Sequence, residues 1–314
     1  MAIVTNTFLT FSAIGNREDL SPHIYNISPN DHPLQAAIGS SYKPKATLTE
    51  WQTDALATPA ANAQLEGDDI TSFTAATVTT RVTNYCQISR TTVIVSGTQD
   101  VVDKAGRKAE MAYQLMKRGK ELRNDIEFTL TNNQAPVAGN STTARALRPL
   151  CGWYVTNDNR GAGGADGSSS AAATDGTQRA LTESLLKNVL QLAYTQGGNP
   201  NVLLCGPFNK GVISGFSGNA TRTQDTSDGV LVTALDIYKG EFGTRLKIVP
   251  SRISRDRDLH VLDTDMWSMG FLRKPQTLDL AKTGDATKGA VIAEYTLCSR
   301  NEKASGIVAD LTTS

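Results

Sequence analysis

Three histidines, four cysteines and scattered carboxylates are the side chains with which this chain could do chemistry, and their spacing brings few of them together. His23 and His32 lie in a proline-broken stretch, where a general base is hard to hold at a fixed distance. His260 falls in an expected strand between Leu259 and Val261, an ordinary place for a structural histidine. The sequence contains no HExxH, no Cys/His cluster and no GxSxG, so zinc and serine-hydrolase chemistry lack a motif. Cys86, Cys151, Cys205 and Cys298 form no CxxC pair and read as reduced, buried thiols of a chain made in a cytoplasm. The glycine run at residues 161–167 resembles a phosphate-binding loop, yet no Lys-Ser or Lys-Thr follows it. A flexible surface loop is the expectation there. A hydrolase built on carboxylates would need a pair such as Glu294 and Asp263 to converge, and nothing in the sequence brings them together. No catalytic, cofactor-binding or metal-binding residue is assigned, and no enzyme is expected.

Composition narrows the classes further. The chain has 314 residues, 39% of them hydrophobic, with 31 basic and 31 acidic side chains. That is apolar enough to bury a core and rules out global disorder. Zero net charge argues against a dedicated nucleic-acid binder, which carries a basic surplus. No run approaches the roughly 18 apolar residues that span a bilayer, and the first ten residues lack the charged-then-apolar pattern of a signal peptide.

The elements that would position any site read as five segments. Residues 1–40 are polar and broken by Pro22, Pro29 and Pro33. One short helix is expected, starting near Asp31-His32-Pro33 and stopped by Gly39. Residues 41–95 are threonine-rich and β-prone, with a first strand at 45–54 carrying Trp51 and a hairpin tip at 55–69. Polar residues on both faces leave this ribbon without a hydrophobic face of its own, so it should pack on another subunit.

A capping box at Ser96-Gly97-Thr98-Gln99 opens the third segment. Val101, Ala105, Ala109, Ala112, Leu115, Gly119, Leu122, Ile126 and Leu130 then predict one helix of roughly 50 Å, reaching Asn132. Gly106 and Gly119 within it imply close packing or a bend. A strand at 150–155 and a Gly/Ser/Ala-rich loop at 157–176 follow. A helix at 182–196, a strand at 202–205, a helix beginning at Pro207, a polar loop at 217–227 and strands at 246–249 and 259–262 complete a compact α/β module. The last segment predicts strands at 267–273 and 290–297.

Charge is unevenly placed. Lys104, Arg107, Lys108, Lys117, Arg118, Lys120 and Arg123 give the long helix a basic face, read as solvated or turned toward nucleic acid or acidic tips. The tip residues Glu66, Asp68 and Asp69 form an acidic turn. Set against Arg17, Lys43 and Lys45 of another copy, that turn would select an interface register.

This order of parts resembles the major capsid proteins of tailed phages, which have the α+β Hong Kong 97-type capsid fold. The likeness is carried by Ile24-Tyr25-Asn26-Ile27-Ser28-Pro29, Pro33-Leu34 and Ala37-Ile38-Gly39 in the arm. In the hairpin it is carried by Glu50-Trp51-Gln52-Thr53-Asp54-Ala55-Leu56 and Asn62-Ala63-Gln64-Leu65-Glu66-Gly67-Asp68. The resemblance implies an N-arm at 1–40, an E-loop hairpin at 41–95, a peripheral (P) domain at 96–155 and 259–314, and an axial (A) domain at 156–258. It implies hexamers and pentamers closing into an icosahedral head around double-stranded DNA, which is touched only by weak non-specific contacts. No long N-terminal helical scaffold is fused here, so a separate scaffolding protein is implied, together with a portal protein and, in some heads, a decoration protein. No cofactor and no membrane enter. The candidate subunit-interface residues are Arg17, Lys43, Lys45, Trp51, Gln64, Glu66, Asp68 and Asp69. The alternatives are a nanocompartment shell of the same fold, and a head decoration or tail adaptor protein.

Overall fold

The structure is a computed structural model and describes residues 6–7, 26–28, 30–67, 69–71, 73–216 and 236–314. The first described helix is α1 (Pro33–Ile38), with His32 as N-cap, proline in the first turn and Gly39 at φ +61° beyond its end. This is where the sequence placed it. Leu34 and Ile38 are buried against Leu122, Ile126 and Leu130, so the short helix is held by tertiary packing. Most of the arm before it, and the polar loop expected at 217–227, lie outside the described residues.

Strands β1 (Leu48–Thr53) and β2 (Thr80–Tyr85) form an antiparallel ribbon, with Trp51 opposite Val82. Pairing stops at Thr53 and Thr80, so the loop between them is longer than the tip expected at 55–69. After Cys86 the chain enters β3 (Gln87–Ser96), which leaves the ribbon and joins β10 (Ala286–Ser299) and β9 (Trp267–Leu280) in a three-stranded antiparallel sheet.

The single 50 Å helix is not what forms. Ser96 does cap it, accepting from the Gln99 N–H at 3.3 Å. The helix α2 (Gly97–Val101) then ends after five residues, Val102 is extended, and Gly106 stands at φ +78°. A second helix, α3 (Glu110–Thr131), carries on for 22 residues, about 33 Å. Gly106 supplies the break, since only glycine enters the left-handed region cheaply. Gly119 sits inside α3 with open space where a side chain would be, so no close packing explains it. The lower stripe of α3, Leu122, Ile126 and Leu130, is buried, while Val101 is exposed.

The expected strand at 150–155 is instead a short helix, α4 (Leu150–Trp153), whose buried residues face the core from all sides. Strand β4 (Asp158–Asn159) follows, then α5 (Glu183–Thr195), β5 (Val202–Cys205), α6 (Pro207–Ser214), β6 (Ile237–Lys239), β7 (Arg245–Pro250), β8 (Leu259–Leu262) and finally β11 (Gly306–Val308). These strands make a mixed six-stranded sheet in the order β4-β11-β8-β5-β7-β6. β6 and β11 went unforeseen because three residues carry no readable alternation. The sheet takes β11 from the far end of the chain, so the α/β module is completed by a returning segment.

Two cores result. One joins α1, α3 and α4 to the three-stranded sheet through Trp153, Tyr154, Trp267, Tyr295 and Leu297. The other packs Leu186, Val189 and Leu190 of α5 and Ile213 of α6 against β5, β7 and β8. No helix among the described residues is long and apolar enough to cross a membrane.

Candidate subunit interface

The ribbon is bolted to its own chain at the base. Trp51 donates its indole N–H to the Ser299 carbonyl at 2.7 Å, with its rings 5.6 Å from Trp153 and 6.3 Å from Tyr42. Asn84, fully buried, donates to the carbonyls of Leu297 (2.7 Å) and Arg148 (3.2 Å) and accepts from the Arg148 N–H. An amide on an otherwise apolar seam is tolerated because each polar group finds a partner.

Beyond Thr53 this changes. The described residues of 54–79 form no ladder, and apart from Thr79, whose hydroxyl donates to Gln52 at 2.8 Å, their hydrogen bonds are local, such as Gln64 to Asn62 at 2.8 Å. Leu56, Leu65, Ile70, Phe73 and Val78 are 77–99% exposed. Large apolar side chains gathered on one loop and left in solvent mark an interaction surface. The same stretch holds four acidic residues and no basic one.

Of the candidate interface residues, Gln64, Glu66 and Asp69 lie exposed on this loop, and Lys43 and Lys45 are exposed on the link before β1. Trp51 is half-buried and occupied within its own subunit. Arg17 and Asp68 lie outside the described residues. Arg107, in the break before α3, pairs with Glu110, and on the helix Arg118 and Lys117 pair with Glu121, so part of the expected basic face is neutralised locally.

The side chains that invited chemical readings are held in structural roles. Glu294 is clamped between Arg145 (2.5 Å) and Arg273 (2.9 Å). Asp263 accepts from the N–H groups of Asp265 and Asn199, capping a turn. His32 meets Asn124 at 2.9 Å, and His23 lies outside the described residues. His260 is wholly buried against Tyr154, and burial pushes its pKa down to about 3. All four cysteines are free and buried, and burial raises their thiols to about 11 or 12. Among the described residues no three His, Cys, Asp or Glu side chains gather to hold a metal ion.

The glycine run is not a loose loop. Asp310, buried at φ +61°, accepts from the N–H groups of Gly161 (3.0 Å) and Gly176 (2.8 Å) and pairs with Arg257 at 2.6 Å. Gly167 packs so tightly on Gly152 that an added side-chain carbon would lie 2.8 Å from its Cα. Gly161, Gly164 and Gly167 serve close approach, while Gly163 takes a positive φ of +82°. Sequence reading missed Asp310 and its partner Arg257, which also pairs with Asp175. It also missed Glu127, whose carboxylate accepts from the N–H groups of Leu34 (2.7 Å) and Gln35 (3.1 Å) at the start of α1. The charge-dense Arg252-Ile253-Ser254-Arg255-Asp256-Arg257-Asp258 run was the available signal for the first.

Comparison with known proteins agrees with this picture. The family model described as SU10 major capsid protein matches residues 3–312. A curated relative, the major capsid protein of Escherichia phage Phieco32, is 24% identical over 340 residues, covering 96% of each chain. The capsid asymmetric unit of cyanophage A-1(L) superposes with a TM-score of 0.68 at 13% identity, covering 97% of this chain and 98% of that one. A structure of phage G gp27 major capsid proteins with gp26 decoration proteins gives 0.56 at 9% identity, covering 99% of this chain and 100% of that one.

Proposed function

Because this chain belongs to the SU10 major capsid protein family, we propose how its parts build a shell. It is a major capsid protein of a tailed phage with the Hong Kong 97-type α+β fold, and it forms the homo-oligomeric shell of the virion. In our reading the copies gather as hexamers and pentamers into an icosahedral head around double-stranded DNA.

Residues 1–40 act as the N-arm and 41–95 as the E-loop. Residues 96–155 with 259–314 make the P domain, and 156–258 the A domain, whose sheet β8 and β11 of the returning segment complete. One observation carries the reading: a ribbon anchored at Trp51 and Asn84 extends a loop whose large apolar side chains Leu56, Leu65, Ile70, Phe73 and Val78 stand exposed. Such a loop is stabilised only by lying on a neighbour. Each contact is weak, and many of them around a closed shell add up.

The role is mechanical, without catalysis: Glu294 and Asp263 position backbone and arginines rather than substrate. Gln64, Glu66, Asp68 and Asp69 at the loop, with Lys43, Lys45 and Arg17, belong to contacts between copies, and Trp51 holds the ribbon from which the loop projects. Made in the host cytoplasm, the chain assembles with a separate scaffolding protein and a portal protein. A decoration protein is a further partner, as one accompanies the phage G neighbour. Electron microscopy of the purified chain, alone and with a scaffolding protein, tests this. Closed shells or capsomers are expected, and their absence after replacing residues 56–78 with a short Gly/Ser linker. Monomers under every condition would refute it.

A further inference from the structure

Two features of this chain have no use inside their own subunit. The first is the corner before α3, where the apolar stripe leading to Leu130 is interrupted. Val101 and Val102 stand 87% and 53% exposed there, flanked by Asp100 and Asp103. Lys104 turns its amine to the main-chain carbonyl of Asp100 at 2.9 Å, and Arg107 is taken by Glu110. The carboxylates of Asp100 and Asp103 are left without an ion pair among the described residues.

The second is a groove along α3. The helix packs on one face of the sheet β3-β10-β9, where a side chain on Gly289 would run into Met111 and Leu115. Beside that contact, between α3 and β9, a groove of about 270 Å³ opens at Met116 and Gly119. It widens to about 780 Å³ where α1 joins, past Phe271 and Lys274. Arg123, Ile126 and Pro275 line both stretches, so the two are continuous. Met116 is 56% exposed, and Gly119 weakens the helix with no contact in its own subunit to require it. Charge on the rim is one-sided. Lys117 and Arg118 are held by Glu121, and the carboxylate of Asp31 faces Arg252 at 3.7 Å. Lys120, Arg123 and Lys274 keep no carboxylate partner among the described residues.

We propose that the corner at residues 100–103 of one copy docks in the α3–β9 groove of a second copy, with Val101 over Met116 and Gly119 and with Asp100 and Asp103 facing Lys120 and Lys274. The proposal rests on the shell reading above and adds a contact separate from the hairpin loop. Burial of the valines and Met116 supplies the attraction. Gly119 lets the incoming backbone come close, and the charges select the register. Because the two patches differ, the contact is head-to-tail: each copy inserts one corner and receives another, as a ring of copies requires. Packaged DNA is the poorer occupant, since the unpaired cations stand among apolar side chains and the chain carries no basic surplus.

Charge reversal tests it. Wild type, Asp100→Lys/Asp103→Lys, Lys120→Glu/Lys274→Glu and the four-fold combination are assembled under one condition, and shells are counted by electron microscopy. Each one-sided reversal should lower shell yield about tenfold while the melting temperature of the unassembled subunit stays unchanged, and the combination should restore the yield. Gly119→Leu separates docking from folding. It fills open space and improves helix propensity, so the subunit should melt no lower than wild type, yet shell yield should fall as far. A photo-cross-linking residue at Val101 in wild-type-like shells should capture residues 116–123 or 269–275 of another copy. Capture of any other segment, of the scaffolding protein or of DNA instead would overturn the proposal. Shells formed equally well by Lys120→Glu/Lys274→Glu or by Gly119→Leu overturn this contact and leave the shell reading standing. A wild-type chain that never assembles, with or without scaffolding protein, overturns both.

Discussion

The indole N–H of Trp51 and the main-chain carbonyl of Ser299 lie 2.7 Å apart, joining a strand of the outlying ribbon to the last residue of β10. That bond turns an otherwise marginal two-stranded ribbon into a rigid extension of the core. The loop beyond it can therefore be flexible in sequence and still be presented in one direction.

Substituting Trp51 should loosen this joint. Trp51→Phe loses the hydrogen bond and part of the contact with Trp153, at about 1 kcal/mol. Trp51→Ala removes a half-buried ring and should cost about 2 kcal/mol, below the full-core value. Urea unfolding of the unassembled subunit measures both. The alanine variant should also assemble poorly, and normal shell yield from it would show that the joint does not direct the loop.

Glu127 holds the arm helix to α3 by accepting two main-chain N–H groups of α1. Burial raises its pKa, while those bonds pull the other way. Glu127→Ala strands both donors in a buried setting and should cost about 2 kcal/mol. Glu127→Gln keeps an acceptor and should cost less. Hydrogen exchange at residues 34–38 is the readout: protection there should fall in the alanine variant before protection in α3 does.

Asp310 ties the glycine loop to the six-stranded sheet through Gly161, Gly176 and Arg257. Asp310→Ala removes three bonds and places a residue ill suited to positive φ, so a loss of about 3 kcal/mol is expected. Asp310→Asn tolerates the backbone conformation and should lose about half as much. Limited proteolysis should then cut within residues 161–176 in the alanine variant, a region that stays resistant in wild type.

His260 makes a pH prediction. Burial first, then the charges of Arg255 and Arg160, hold its pKa near 3, so the imidazole stays neutral in the fold. The unfolded chain takes up that proton near pH 6.5. The stability His260 contributes is fully present above pH 6.5 and is lost as pH falls toward 3, at up to about 1.4 kcal/mol per unit. Asp258 runs the opposite way: burial pushes its pKa up to about 6, so the fold gains stability as pH falls from 6 toward its unfolded value. The two offset each other across that window in wild type. His260→Leu removes one side, so its stability relative to wild type should rise steadily between pH 6.5 and 4. Parallel melting curves for the two proteins across this range would contradict the assignment.

The short-range features were legible in the residues alone. Pro33 and Gly39 bound α1, Thr182 and Gly197 bracket α5, and the apolar runs at 202–205 and 259–262 became strands where they stand. The acidic, cation-free loop could also be read directly, as could the lack of any catalytic motif. These depend on backbone preference and on patterns that repeat within a few residues. Elsewhere the tertiary structure decided. The stripe from Val101 to Leu130 reads as one helix, but a left-handed Gly106 breaks it. The apolar Leu150–Trp153 run reads as a strand, but it lies buried on every side, where a helix fits equally well and periodicity cannot choose. Asp310 reaches Gly161 across 149 residues of chain, and Trp51 reaches Ser299 across 248. Which face of β3 stays uncovered likewise depends on where α3 comes to rest. The sequence determined the local elements and the chemistry the loop carries, while pairings between distant residues became visible only when the folded chain brought them together.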